Sequence, residues 1–275
     1  MPLVLRWRSA TTQTVEAEAL RPDALAAHPT ADIARLTLPV GSGSAELGEL
    51  FHVEGDSSDG CVQVEGDLRR VHRLGAGMAA GTLMVRGDVG AHVGAGMIGG
   101  TLDVTGSAGP WAGAEMQGGL LRIQGSAGDG LGSAYAGSRR GMREGVILVE
   151  GSAGSDVGLA MRRGLIALAG RAGDGLGRAM IAGSIFTFGP VGRFPGMGMK
   201  RGTLALFGLD RPEPPPLLPT FLPSCRNRPP FLTIYLRQLS AWGFPVPQGA
   251  FSGSFQRYNG DLIDHGQGEV LVWNA

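Results

Sequence analysis

GTLMVRGDVGAHVGAGM (residues 81–97) and GTLDVTGSAGPWAGAEM (residues 100–116) align without a gap, nineteen positions apart. Both read G-x-Φ-x-Φ-x-G-x-x-G-x-x-x-G-x-x-M, where Φ is aliphatic. Working outward, the same opening glycine recurs at Gly60, Gly81, Gly100, Gly119, Gly145, Gly164, Gly183 and Gly202, with spacings of 21, 19, 19, 26, 19, 19 and 19. A fixed period near twenty marks a solenoid, in which each unit stacks on its neighbours because no unit can bury its apolar face alone. The expectation is an all-β chain, a single-stranded parallel β-helix of about eight 19-residue coils. At ~4.8 Å per coil the column would be roughly 35–40 Å long.

Side chains alternate across a strand, so the residues two and four after each opening glycine share a face. They are Val62 and Val64, Leu83 and Val85, Leu102 and Val104, Leu121 and Ile123, Ile147 and Val149, Ile166 and Leu168, and Leu204 and Leu206. The unit opening at Gly183 differs, with Ile185 and Thr187 inward; an outward Phe186 and Phe188 would make an apolar patch of the kind that contacts a partner. Sixteen residues after the glycine comes a second inward column of Met97, Met116, Tyr135, Met161, Met180 and Met199, with Met78 equivalent after a shift. Thioethers fill irregular core space, and no Cys or His joins the column to make a metal site. Gly87, Gly90 and Gly94 and their counterparts are coil corners.

The flanks read as covers for open coil ends, giving three regions: a cap at 1–50, the β-helix at 51–208, and a proline-rich connector, short helix and tail at 209–275. The first contains a helix-compatible run at residues 17–27 and an alternating strand at Leu36, Leu38 and Val40. In the third, Pro212, Pro214, Pro215, Pro216, Pro219, Pro223, Pro229 and Pro230 exclude regular helix or central strand from residues 209–230. FLTIYLRQLSAW (residues 231–242) is expected to be a helix closing the last coil, and residues 269–273 a strand.

Composition narrows the function. Gly is 48 of 275 without a triplet period, which excludes collagen. A formal charge of zero argues against nucleic acid as a partner. No apolar stretch reaches a membrane span's ~20 residues. The N-terminal stretch lacks a signal peptide's apolar run, and Cys61 and Cys225 fit a reducing compartment, so a cytoplasmic protein is expected. His28, His52, His72, His92 and His265 share no metal-ligand spacing. There is no P-loop, and the GSG at Gly41 is no dinucleotide fingerprint. Asp129 and Asp174 are too isolated for a calcium β-roll and read as turn residues. Neither a catalytic constellation nor a metal site is expected.

One charged pattern stands out. Arg162 and Arg163, then Lys200 and Arg201, end their units, with Arg143 at the matching end of the unit opening at Gly119; that unit's extra seven residues add Arg139 and Arg140. Equal repeat positions stack on one edge, so these side chains should form a basic stripe interrupted at Ile181 and Ala182. It suits an anionic ligand or a partner subunit; the plain alternative is a solvated edge balanced by Glu144 and Glu150.

GELFHVEG (residues 48–55), the run of GxxGxxxG coils and YNGDLIDHGQGEVL (residues 258–271) together resemble the C subunit of formylmethanofuran dehydrogenase, and within that family its bacterial counterpart, the C subunit of the formyltransferase/hydrolase complex. The resemblance covers residues 33–275. The glutamate synthase large subunit also uses glycine coils of this type, so the two flanking segments carry the specificity. The resemblance implies a right-handed β-helix with no catalytic centre or bound cofactor of its own. It implies work beside amidohydrolase-like, formyltransferase and formate-dehydrogenase-related subunits that use tetrahydromethanopterin and a methanofuran-type carrier with a glutamyl tail. The stripe would then hold that tail or a partner. Lys200 is the only lysine among 24 basic residues, a high-GC bias that favours the bacterial, hydrolytic complex over a molybdenum or tungsten dehydrogenase. A free-standing β-helix enzyme is the remaining alternative. A lyase would need clustered acidic calcium ligands and an acyltransferase a six-residue sub-period, and neither is present.

Overall fold

The computed structural model of the protein describes residues 2–208 and 216–274. The chain opens with β1 (Leu3–Trp7) and β2 (Val15–Glu16), continues through α1 (Pro22–Leu25) and α2 (Thr30–Ala34), and folds a hairpin from β3 (Thr37–Val40) and β4 (Gly43–Glu46). One helical turn, α3 (Leu47–Leu50), leads into β5 (Phe51–Glu54). The repeats then supply β6 (Cys61–Glu65), a minimal β7 (Val71–His72), β8 (Thr82–Arg86), β9 (Thr101–Val104), β10 (Leu120–Ile123), β11 (Val146–Val149), β12 (Leu165–Leu168), β13 (Ser184–Thr187) and β14 (Thr203–Leu206). After them come β15 (Leu222–Asn227), α4 (Pro230–Ala241), β16 (Ser254–Asn259) and β17 (Glu269–Asn274). The helix-compatible run at 17–27 shrinks to the four residues of α1. A residue before proline is pushed out of the helical region, so Arg21 is extended and the helix starts at Pro22.

Among the described residues the main sheet has 13 strands, ordered β15-β16-β17-β14-β13-β12-β11-β10-β9-β8-β6-β1-β5. From β6 through β14 every pairing is parallel and locked to the repeat. Leu83 lies between Val62 and Leu102, and Ile166 between Ile147 and Ile185. A second ladder of single bridges links Leu68, Val89, Ala108, Ala127, Ala153, Ala172 and Val191. The fold is therefore mostly β, parallel-rich and β-helix-like. Close stacking demands glycine at the corners. A Cβ on Gly106 would sit 2.5 Å from the Gly87 carbonyl carbon, and Gly94 holds φ +63 beside Leu121 and Leu102.

The inward aliphatic pairs of the repeat are all fully buried, and Thr187 is buried with them, its hydroxyl donating to the Gly189 carbonyl at 3.2 Å. A third inward row, Leu74, Val93, Ala112, Leu131, Val157 and Leu176, completes the core. The methionine column is inward except at one place. Tyr135 is only half-buried, and Met142, fully buried, takes its position. The seven extra residues loop out after Gly132, and the chain returns with the Met142 amide bonding the Gly132 carbonyl at 2.9 Å.

Two expectations about the apolar surface are corrected together. The helix α4 does not close the last coil. It lies on the outer face of the sheet, where Leu232, Leu236 and Leu239 pack against Leu148, Leu165, Ala167, Phe186 and Ala205. Phe186 is thus fully buried, edge-on to Tyr235 at 5.3 Å, and Phe188 stacks on Phe207 at 4.6 Å. The outward Phe pair is a seat for the chain's own helix and is no patch for a partner. The ladder ends are covered by strands instead. At one end β1 pairs parallel to β6 and antiparallel to β5; at the other β17 pairs parallel to β14 and antiparallel to β16. Pro223 sits in the outermost strand, β15, where its missing N–H is tolerated. Pro212, Pro214 and Pro215 lie outside the described residues; just beyond them Leu217, Leu218 and Phe221 pack onto the core.

Candidate docking edge

The edge that carries the basic residues is built by backbone bonding. The first residue after each column methionine donates its N–H to the methionine carbonyl one unit earlier. Arg143 bonds Met116 at 2.7 Å, Arg162 bonds Met142 at 2.8 Å, Ile181 bonds Met161 at 2.7 Å and Lys200 bonds Met180 at 2.8 Å. Those side chains therefore leave the column at one repeated position, with Ile98 and Gln117 preceding them in the row.

The structure brings four of the seven basic residues together. Arg162, Arg163, Lys200 and Arg201, all exposed, line a groove of about 460 Å3 with Ile181, Ala182, Asp264, His265 and Gln267. Arg201 donates through Nε to Gln267 Oε1 at 2.9 Å. Arg139, Arg140 and Arg143 are not brought into it. The first two sit exposed in the inserted loop, and Arg143 is half-buried with its Nε unpartnered. Among the described residues none of the seven forms an ion pair. Arg163 also borders a second groove, of about 950 Å3, between the row of opening glycines and the Tyr235, Gln238 and Trp242 side of α4.

One wall of the cationic groove is the loop at residues 260–268, whose geometry rests on Asp261. This carboxylate, 2% exposed, accepts the Gly198 N–H at 2.9 Å and the Ile263 N–H at 3.2 Å. Burial pushes its pKa up, but hydrogen bonding from Gly198, Thr220 and Ile263 together outweighs that and holds it below the usual carboxylate range. A left-handed His265, φ 75, then turns the chain back toward β17. Nothing in the local sequence signals that this loop faces the stripe, because Asp264 lies 63 residues beyond Arg201 and 102 beyond Arg162.

Among the described residues no group of three or more His, Cys, Asp or Glu could hold a metal ion. Asp129 and Asp174 tie coils together, each accepting a backbone N–H of the next unit, from Ser155 at 2.7 Å and Arg193 at 2.8 Å. An aromatic cluster was not expected. His92, Trp111 and Tyr135 stack at one corner, with His92 Nδ1 2.9 Å from the Tyr135 hydroxyl. The nineteen-residue step from His92 to Trp111 was its available signal. Burial lowers the pKa of His92.

No family model matches the chain. Its whole length does match a chain of the crystal structure of the formyltransferase/hydrolase complex from Methylorubrum extorquens in complex with methylofuran. The two are 36% identical with a TM-score of 0.89, over 99% of this chain and 100% of that one. This chain belongs to the family of formylmethanofuran dehydrogenase C subunits.

Curated relatives agree over a shorter stretch. The C subunit of molybdenum-containing formylmethanofuran dehydrogenase 1 from Methanosarcina barkeri is 37% identical over 83 residues, 29% of this chain and 28% of that protein. The C subunit of tungsten-containing formylmethanofuran dehydrogenase 2 from Methanothermobacter marburgensis is 37% identical over 83 residues, 29% of this chain and 31% of that protein. The matched stretch thus spans under a third of these two relatives. No helix among the described residues is long and apolar enough to cross a membrane.

Proposed function

We propose that this chain is a non-catalytic scaffold subunit of a cytoplasmic formyltransferase/hydrolase complex in one-carbon metabolism, on the path from formaldehyde to formate. The observation that carries this reading is the end-to-end likeness to a chain of such a complex, at 36% identity. On this reading the column is a right-handed β-helix of about eight coils spanning residues 51–208, with the cap at 1–50 and the connector, helix and tail at 209–275. Its partners are amidohydrolase-like, formyltransferase and formate-dehydrogenase-related subunits. The complex uses tetrahydromethanopterin and a methanofuran-type carrier, and this chain holds no cofactor alone. The seven basic residues serve an anionic carrier tail or a partner face.

A second reading keeps the scaffold role within a molybdenum or tungsten formylmethanofuran dehydrogenase, favoured by the names of the curated relatives. Its support covers under a third of the chain, against 99% for the first. Native mass spectrometry of the complex purified through this chain, with metal analysis, separates the two. The expected result is a stable hetero-oligomer without molybdenum or tungsten. Formyl transfer or formylamide hydrolysis by the isolated, metal-replete chain would refute the scaffold role.

A further inference from the structure

The loop at residues 260–268 does more than return the chain to β17. It holds two adjacent aliphatic side chains out in solvent, Leu262 at 51% and Ile263 at 77% exposure. Scattered apolar residues on a surface are ordinary, but this pair is held rigidly. The buried Asp261 carboxylate accepts the Ile263 and Gly198 amides, the Leu262 amide bonds the Thr220 carbonyl at 3.2 Å, and the Gly266 amide bonds the Asp261 carbonyl at 3.0 Å. Such rigidity lowers the ordering cost of placing the pair in a complementary socket. On the same loop Asp264, His265 and Gln267 line the groove where Arg162, Arg163, Lys200 and Arg201 stand without an ion pair among the described residues. Asp264 is the sole carboxylate among the lining residues.

Resting on the scaffold reading, we infer that this loop and groove form one docking surface for a partner subunit. Leu262 and Ile263 enter an apolar socket, and the four cations meet carboxylates around its rim. A polyanionic carrier accounts for the charges but leaves the aliphatic pair without a role. A folded partner accounts for both, since protein interfaces combine a desolvated apolar centre with a polar rim.

The test uses the purified complex. Hydrogen exchange over residues 260–268 is compared between the free chain and the assembly, and the Leu262→Ser/Ile263→Ser chain is titrated against its co-purifying subunits by native mass spectrometry. The expected result is protection of the loop on assembly and a tenfold or greater rise in the partner's dissociation constant. The free variant should melt like the parent, because Asp261 and its bonds remain. A wild-type complex whose loop exchanges as freely as in the isolated chain overturns the inference while leaving the scaffold reading intact. So does a double variant that assembles with parental affinity. If Arg162→Ser/Arg163→Ser abolishes carrier binding but leaves assembly unchanged, the groove is a carrier site and the inference is wrong. Failure of the wild-type chain to assemble at all would remove the scaffold reading itself.

Discussion

Replacing Leu83 with Ala, and separately its neighbour Met84 with Ala, tests the architecture with a one-residue displacement. Leu83 is fully buried between Val62 and Leu102, and a Cβ built on Gly75 would already stand 3.0 Å from Leu83 Cδ2. Packing that tight, between backbone rungs fixed by hydrogen bonds, cannot collapse into the space left by the missing carbons. Large-to-small changes at such sites cost ~2.7–5 kcal/mol, so about 3.5 kcal/mol is expected here. With an unfolding entropy of ~2.1 cal/mol/K per residue, 275 residues give roughly 0.58 kcal/mol/K, and Tm should fall by about 6 °C. Met84 faces the other way and is half-exposed, so its truncation should move Tm by under about 2 °C. Scanning calorimetry of the two variants and the parent in one buffer provides the comparison. Equal losses at the two positions would refute the inward assignment, because adjacent strand residues cannot share a face.

Three further outcomes are expected. Leu236→Ser should cost about 2–4 kcal/mol and expose the outer sheet face around Phe186, read as a lowered Tm with new binding of an apolar dye; parental stability would show that α4 does not rest there. The Asp261 carboxyl titrates below its ordinary range when folded. Its stabilising share is therefore present above the unfolded pKa of about 3.9 and lost as pH falls through the folded value. Protection of the amides at residues 260–268, relative to their intrinsic exchange rates, should fall below about pH 4 in the parent and show no such step in Asp261→Asn; identical profiles would show that the carboxylate does not hold the loop. Changing Arg162, Arg163, Lys200 and Arg201 together to Ser should leave the fold intact and weaken assembly or carrier binding at low salt, each exposed contact contributing ~0.2–1 kcal/mol. It should also flatten the salt dependence, because screening acts on charges that are no longer there; unchanged assembly, carrier affinity and turnover would make the stripe a solvated edge.

The sequence made legible whatever repeats. Leu102 and Val104 or Ile166 and Leu168 are visible as inward pairs because parallel stacking carries each position onto its counterpart without offset. What depends on a single long-range contact left no periodic trace. The helix at α4 reads locally as amphipathic, yet nothing near it says that Phe186 and Ala167 are its seat. Tyr135 counted forward from its opening glycine falls in the methionine column, whereas Met142 lies three residues before Gly145, as Met116 does before Gly119. Counting backward places the insertion correctly. The basic stripe was legible as a row, but the outward loop at 135–141 separates Arg139 and Arg140 from the groove that Arg162 and Lys200 share. The groove's other wall, Asp264 to Gln267, comes from a loop whose proximity only the fold supplies.

Closure of the ladder by β17 has a kinetic side. The strand that pairs with β14 begins at Glu269, and residues 207–268 must be made after Leu206 before that partner exists. At ~5–20 residues per second, those 62 residues take about 3–12 s to synthesise. Throughout that interval the nascent column presents an unpaired parallel edge, carrying Leu204 and Leu206 and free to accept any passing strand. The glycine repeats make this edge nearly identical to every other rung, so the best available intruder is the same column on a neighbouring ribosome. Dense polysomes should therefore be the setting in which this protein misassembles, and slowing initiation without slowing elongation should raise its soluble yield.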